Sequence, residues 1–272
     1  MTTAERRALR RERLKGLPIN RMIPNMLTLL ALCAGLSSIR FALLDRFDLA
    51  ALAILVAAIF DGLDGRVARI LKGASKFGAE LDSLSDFLSF GVAPALTLYL
   101  WALRDTGPGA WLLVLFYVMC AALRLARFNT ALEDDTPPAW TRNYFTGVPS
   151  PAGAGLVLLP LILAHLFGDD PFRGTEAIGF FLVAAGALMV STLPTFSFKK
   201  FKVDHRFVLP MMLFFGLMAA TMISAPWAGA ATLLILYLAS IPLAVRSYRA
   251  LKKRDAADLA ASSDAPDQQV SP

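Results

Sequence analysis

The sequence predicts an all-α, polytopic membrane helical bundle, on three grounds. Of the 272 residues, 56% are hydrophobic and the mean hydropathy is +0.56, more apolar than a soluble domain of this length. The apolar residues gather in eight stretches, 24–44, 49–70, 79–103, 109–132, 151–168, 175–195, 207–225 and 229–246. Each approaches or exceeds the roughly 20 residues that cross a bilayer as helix. Finally, 23 of the 27 Lys and Arg residues lie in the two terminal segments or at alternate junctions between stretches. That is the positive-inside pattern of an even number of spans with both termini in the cytoplasm. About eight transmembrane helices are expected, with six as the fallback, because the fifth stretch is short and the sixth ends near Pro194.

Residues 1–22 form a basic juxtamembrane segment in which Leu9, Leu14 and Leu17 are spaced for an amphipathic helix on an anionic surface; a basic tail is the plainer alternative. No small-residue cleavage site follows a short apolar core, so the first span is expected to stay. Residues 23–250 read as one membrane-embedded domain. Within it, 133–150 is a polar, proline-containing cytoplasmic loop, and Lys199 and Lys200 suit interface anchors. Residues 251–272 read as a cytoplasmic tail, its last 18 rich in Ala, Ser, Asp and Pro and expected to be disordered. Cys33 and Cys120 fall inside expected spans and suit packing. His165 and His205 have no partner spacing and are assigned to structure.

Four carboxylates stand out against this background. Asp61 and Asp64 are three residues apart near the end of the second stretch, and Asp82 and Asp86 are four apart near the start of the third. On helices, both spacings put the pair on one face. A short turn near Lys72–Lys76 makes the two helices antiparallel, so the acidic faces oppose each other near the cytoplasmic interface. Four close carboxylates repel and are costly to desolvate unless cations sit between them. All-oxygen ligands suit Mg²⁺ or Mn²⁺, and four could hold two ions, the pair used for in-line displacement at phosphorus. Gly65 and Gly78 leave room for close backbone approach. Arg69 could neutralise a phosphate, and Ser75 could offer a hydroxyl. Ion pairs with Arg66, Arg69 or Lys76 and helix capping are the structural alternatives, and Glu80 suits a structural role.

The pattern Asp61-x2-Asp64-Gly65-x2-Ala68-Arg69-x8-Gly78-x3-Asp82-x3-Asp86 resembles, at every fixed position, the signature of the CDP-alcohol phosphatidyltransferase family. The resemblance implies transfer of a phosphatidyl or similar group from a CDP-linked donor to an alcohol, with release of CMP. It implies that Asp61, Asp64, Asp82 and Asp86 are metal ligands and that Asp86 is also the general base. Gly65, Arg69 and Ser75 would contact the CDP portion, as would Asn25 and Thr28 in the stretch Asn25-Met26-Leu27-Thr28, which is similar to the family's Asn-x-x-Thr element. A homodimer is implied as well.

Further stretches, among them ALRLARFN (122–129), YFTGVPSPAGAG (144–155) and STLPTFSFKKFK (191–202), resemble the membrane-embedded, serine-using branch of bacteria and archaea. The likeness spans about residues 20–205, and the last two spans carry little of it. It implies CDP-diacylglycerol and L-serine as substrates, in an inner (cytoplasmic) membrane with the active site facing the cytoplasm. No nucleic-acid partner is expected. A zwitterionic acceptor calls for a cation and a hydrogen-bond acceptor, and Arg124, Arg127 and Asn129 are candidates for serine or phosphate contacts. Positive-inside anchoring is an equal account of Arg127. Glycerol 3-phosphate and inositol or its phosphate are the rival acceptors. An ion transporter is the rival class, disfavoured because the acids cluster at one face and no repeat is visible.

Overall fold

The computed structural model describes residues 19–73, 75–131, 144–169, 171–196 and 205–263. Among these residues there are eight helices: α1 (Ile19–Leu43), α2 (Phe47–Ile70), α3 (Lys76–Leu103), α4 (Pro108–Ala131), α5 (Ser150–Phe167), α6 (Thr175–Val190), α7 (His205–Ser224) and α8 (Pro226–Ser263). Each expected apolar stretch falls on one of them. Five, Met22–Leu43, Lys76–Leu103, Pro108–Thr130, Ser150–Phe167 and Pro226–Leu251, are long and apolar enough to cross a membrane. The chain is thus a mostly helical, multi-pass membrane protein. The other three helices fall outside that description for two physical reasons. Helix α2 is long enough but carries Asp48, Asp61, Asp64, Arg66 and Arg69. Helix α6 and the apolar part of α7, Leu209–Ser224, are shorter helices.

The fold is not purely helical. Strands β1 (Tyr144–Thr146) and β2 (Pro194–Phe196) pair antiparallel with Phe145 opposite Thr195. The chain forms two compact units. Met1–Leu132 with Pro149–Val190 make the first, and Glu133–Val148 with Ser191–Pro272 the second. The strand pairing joins Tyr144–Thr146 to Pro194–Phe196 within the second unit. There Gly147, with φ 79°, donates its N–H to the Leu193 carbonyl at 2.8 Å, and the Thr195 hydroxyl donates to the Gly147 carbonyl at 2.9 Å. Helix α8 continues through 252–263, part of the tail expected to be disordered; its alanines are strong helix formers. The segments 1–18, 197–204 and 264–272, including Lys199, Lys200 and most of the basic arm, lie outside the described residues.

In the first unit, short connections join α1 to α2, α2 to α3, α3 to α4 and α5 to α6. Small residues let them approach closely, as membrane helices require. A Cβ added to Gly35 on α1 would collide with Ser89 Oγ on α3. On α6, Gly179 faces Leu113, and Gly186 faces Phe116 and the Sγ of buried Cys120, which bears out a packing role for that cysteine. Hydroxyls add cross-helix bonds: Ser85 donates to the Thr28 carbonyl at 3.2 Å and Ser89 to the Ala31 carbonyl at 3.3 Å.

Helix α3 widens to π-helical turns at Phe87–Val92, directly after Asp86. Pro94 has no N–H for the Phe90 carbonyl one turn back. The fully buried Tyr117 on α4 supplies a donor instead, its hydroxyl 2.8 Å from that oxygen. Tyr117→Phe is expected to destabilise the protein by about 1–2 kcal/mol, read as a lowered unfolding midpoint in detergent; an unchanged midpoint would deny the bond that role.

Candidate active site

The acidic site is built by one reversal of the chain. Helix α2 ends in a turn where Gly73 N–H bonds the Ala68 carbonyl at 2.9 Å and Lys72 adopts φ 50°. Helix α3 then starts from Ser75, whose Oγ accepts the Gly78 N–H at 3.0 Å. The reversal sets the acidic faces of α2 and α3 together, as the spacing predicts. Asp61, Asp64 and Asp82 each offer a carboxylate oxygen, all within 4.8 Å of one another. Asp86 stands beside this group with its carboxyl against that of Asp61, and it also feels the charge of Asp82. The acids lie toward helix ends, Asp61 about 14 Å from the end of α2 and Asp82 about 9 Å from the start of α3 at 1.5 Å per residue. Transport sites more often sit near the bilayer midplane.

Helix α1 supports the group from one side. Asp64 is only 5% exposed, and the Thr28 hydroxyl donates to its Oδ2 at 2.6 Å while also lying 3.1 Å from the Pro24 carbonyl. Asn25, one turn earlier, packs on Gly78, where an added Cβ would come within 2.8 Å of Asn25 Oδ1. Thr28→Val is expected to weaken Mn²⁺ binding and turnover by about tenfold, as for other groups that orient metal ligands. Mn²⁺ titration and product formation check this; wild-type values in both would rule it out.

The remaining expected residues divide by surroundings. Gly65 faces open space, with nothing within 4 Å of an added Cβ, as a close ligand approach requires. Arg69 is exposed at the same end, its Nε donating to the Gly65 carbonyl at 2.9 Å. Gly78 is explained by Asn25, and Ser75 by its cap. Arg127 bonds the carbonyls of Val190 at 2.7 Å and Met189 at 3.5 Å, tying α4 to the C-terminal end of α6. Asn129 Nδ2 donates to Ser83 Oγ on α3 at 3.0 Å. Arg124 is 9% exposed and donates to Ser150 Oγ on α5; its charge acts on Asp61 and Asp86. His165 lies in the last turn of α5, the opposite end from Ser150. The side chain of His205 is outside the described residues.

Sequence reasoning missed Ser83, Ser150 and Tyr117. Ser83 had a signal, since it lies between Asp82 and Asp86; Ser150 had none, being 64 residues beyond Asp86 and distant from it in the chain.

The donor set fits a hard divalent cation: clustered oxygens, no sulfur or imidazole, and a negative charge that a cation would offset. At this site the matches with known proteins converge. The family model for CDP-alcohol phosphatidyltransferase matches residues 21–196, and that for CDP-alcohol phosphatidyltransferase 2 matches 206–242, so the likeness extends into helices where the sequence reading found little. A protein of Mycobacterium leprae, named CDP-diacylglycerol–serine O-phosphatidyltransferase, is 41% identical over 228 residues, covering 84% of this chain and 76% of that protein. One of the same name from Helicobacter pylori is 35% identical over 203 residues, 74% and 84% of the two chains. Another from Methanocaldococcus jannaschii is 42% identical over 136 residues, 50% and 58%.

Proposed function

The chain belongs to the CDP-alcohol phosphatidyltransferase family, and from that premise we propose that it transfers the phosphatidyl group of CDP-diacylglycerol to the hydroxyl of L-serine, giving phosphatidylserine and CMP. The observation that carries this reading is the convergence of the signature carboxylates of α2 and α3 in a chain whose serine-using relatives match it over most of its length.

Asp61, Asp64, Asp82 and Asp86 would hold Mg²⁺ or Mn²⁺, two ions per site. Bound there, the ions neutralise diphosphate oxygens and the departing CMP. Arg69 and the open backbone at Gly65 receive the cytidine diphosphate part of the donor. Asn25 and Thr28 fix the starts of α1 and α3 against it. Asp86 takes the proton of the serine hydroxyl as its oxygen attacks the phosphorus bearing diacylglycerol; the bond to CMP breaks on the opposite side. General-base help of this kind is worth about 10²–10⁴-fold. Arg124 and Asn129 lie on the α4 side of the acids, where the acceptor would enter.

The positive-inside distribution supports eight spans, a catalytic domain over 23–250 in the inner membrane and an active site at the cytoplasmic face. Membrane lipid surrounds it, and a homodimer is the family's assembly. The test is product analysis with purified protein, CDP-diacylglycerol and Mn²⁺, offering labelled serine, glycerol 3-phosphate or inositol in parallel. Labelled phosphatidylserine with stoichiometric CMP is expected. Product from another acceptor alone would reassign the alcohol, and no CMP with any acceptor would reject the reaction.

A further inference from the structure

The acidic cluster has a positive neighbour that its own two helices do not supply. Arg124 belongs to α4 and is buried, at 9% exposure. One Nη donates to the Oγ of Ser150, itself 1% exposed and the first residue of α5 after Pro149. The guanidinium also lies 5.8 Å from the ring centroid of Phe128, a cation–π distance. Helix α4 is registered against α3 by Asn129 on Ser83 at 3.0 Å on one side and by Ala121 on Gly91 and Tyr117 on the Phe90 carbonyl on the other, which sets Arg124 level with Asp86. A guanidinium withdrawn from water is costly unless opposite charge and hydrogen bonds compensate it. Here Ser150 supplies a hydrogen bond, and the acidic face of α3 at the level of Asp86 is the nearby source of opposite charge. An interfacial anchor would reach toward water, whereas this one is turned inward and fixed from a second helix.

We propose that Arg124, held by Ser150, is a positioning residue: a resident counter-charge that keeps Asp86 aimed beside Asp61 and limits how tightly the cluster takes a divalent cation before the donor arrives. The inference rests on the phosphatidyl-transfer reading for its catalytic part only. A fixed positive charge near the carboxylates opposes an incoming cation, and each neighbouring carboxylate is oriented by the same charge. Ser150 matters because a guanidinium free to swing would serve neither purpose.

The experiment is a substrate-free Mn²⁺ titration of the purified full chain, followed by the paramagnetic resonance of free Mn²⁺, together with steady-state kinetics in CDP-diacylglycerol and serine. Arg124→Gln is expected to bind Mn²⁺ about tenfold more tightly and to lose at least about tenfold in kcat with KM for serine little changed. Arg124→Lys keeps the charge and should bind Mn²⁺ like the wild type, with kcat partly restored. Ser150→Ala, which frees the guanidinium, should tighten Mn²⁺ binding and lower kcat, each severalfold. Unchanged Mn²⁺ affinity in Arg124→Gln overturns the proposal, as does a deficit confined to KM for serine, which would make Arg124 a ligand of the acceptor. If the Gln variant does not fold, wild-type kcat in Ser150→Ala, or altered Mn²⁺ affinity in Arg124→Lys, overturns it equally. Failure of the serine reading would register separately, as absence of phosphatidylserine with the wild-type protein, because the Mn²⁺ titration contains no acceptor.

Discussion

Asp86→Asn is expected to lower phosphatidyl transfer by about 10²–10⁴-fold while leaving donor and Mn²⁺ binding within severalfold of wild type. The amide keeps the shape of the carboxyl but cannot take a proton from the incoming hydroxyl. Asp61, Asp64 and Asp82, whose oxygens lie within 4.8 Å of one another, are untouched. CMP release reads the chemical step, and Mn²⁺ titration reads the cluster. Turnover within tenfold of wild type would remove Asp86 as the base. A collapse of Mn²⁺ binding of the same size as the loss in rate would instead make it chiefly a ligand.

Asp64→Ala is expected to do both kinds of damage. It deletes one of the three converging carboxylates and leaves the Thr28 hydroxyl without its 2.6 Å acceptor at a buried position. Metal stabilisation of a phosphoryl transition state is worth several kcal/mol, so turnover should fall by about 10³-fold or more, with Mn²⁺ affinity down by about 10²-fold. A matching unfolding midpoint would assign the loss to the site and not to the fold. Retained Mn²⁺ affinity would show that the cation is held by other residues. Set side by side, the two variants separate proton removal from cation holding, since one should lose far more rate than Mn²⁺ affinity and the other should lose both heavily.

The carboxylate cluster was legible because its information is local. Spacings of three and four residues on two consecutive helices, joined by a short turn, dictate that Asp61 and Asp64 meet Asp82 and Asp86. The helices were legible for the same reason, since apolar runs mark them directly. The span count was less so: the charges that build the site make α2 look unlike a membrane helix, and α6 is cut short before β2. Residues whose roles depend on distant partners were not legible. Arg127 looks like any interfacial arginine until Val190, 63 residues later, accepts its hydrogen bond. Gly78 reads as room for a ligand, although Asn25 fills that space. The strands β1 and β2 join two segments 48 residues apart, each with only three paired residues, too short for an alternation to declare itself.

The order in which the polypeptide is made gives the two anchors of α4 a consequence for biogenesis. All four aspartates are in the chain once residue 86 is synthesised, but Ser150 and the Val190 carbonyl follow only with the fifth and sixth helices. A nascent chain halted between these points would expose a cation trap lacking the neighbour that restrains it. On the proposed role of Arg124, membrane insertion of the later helices does more than finish the bundle: it fixes the counter-charge beside the acids.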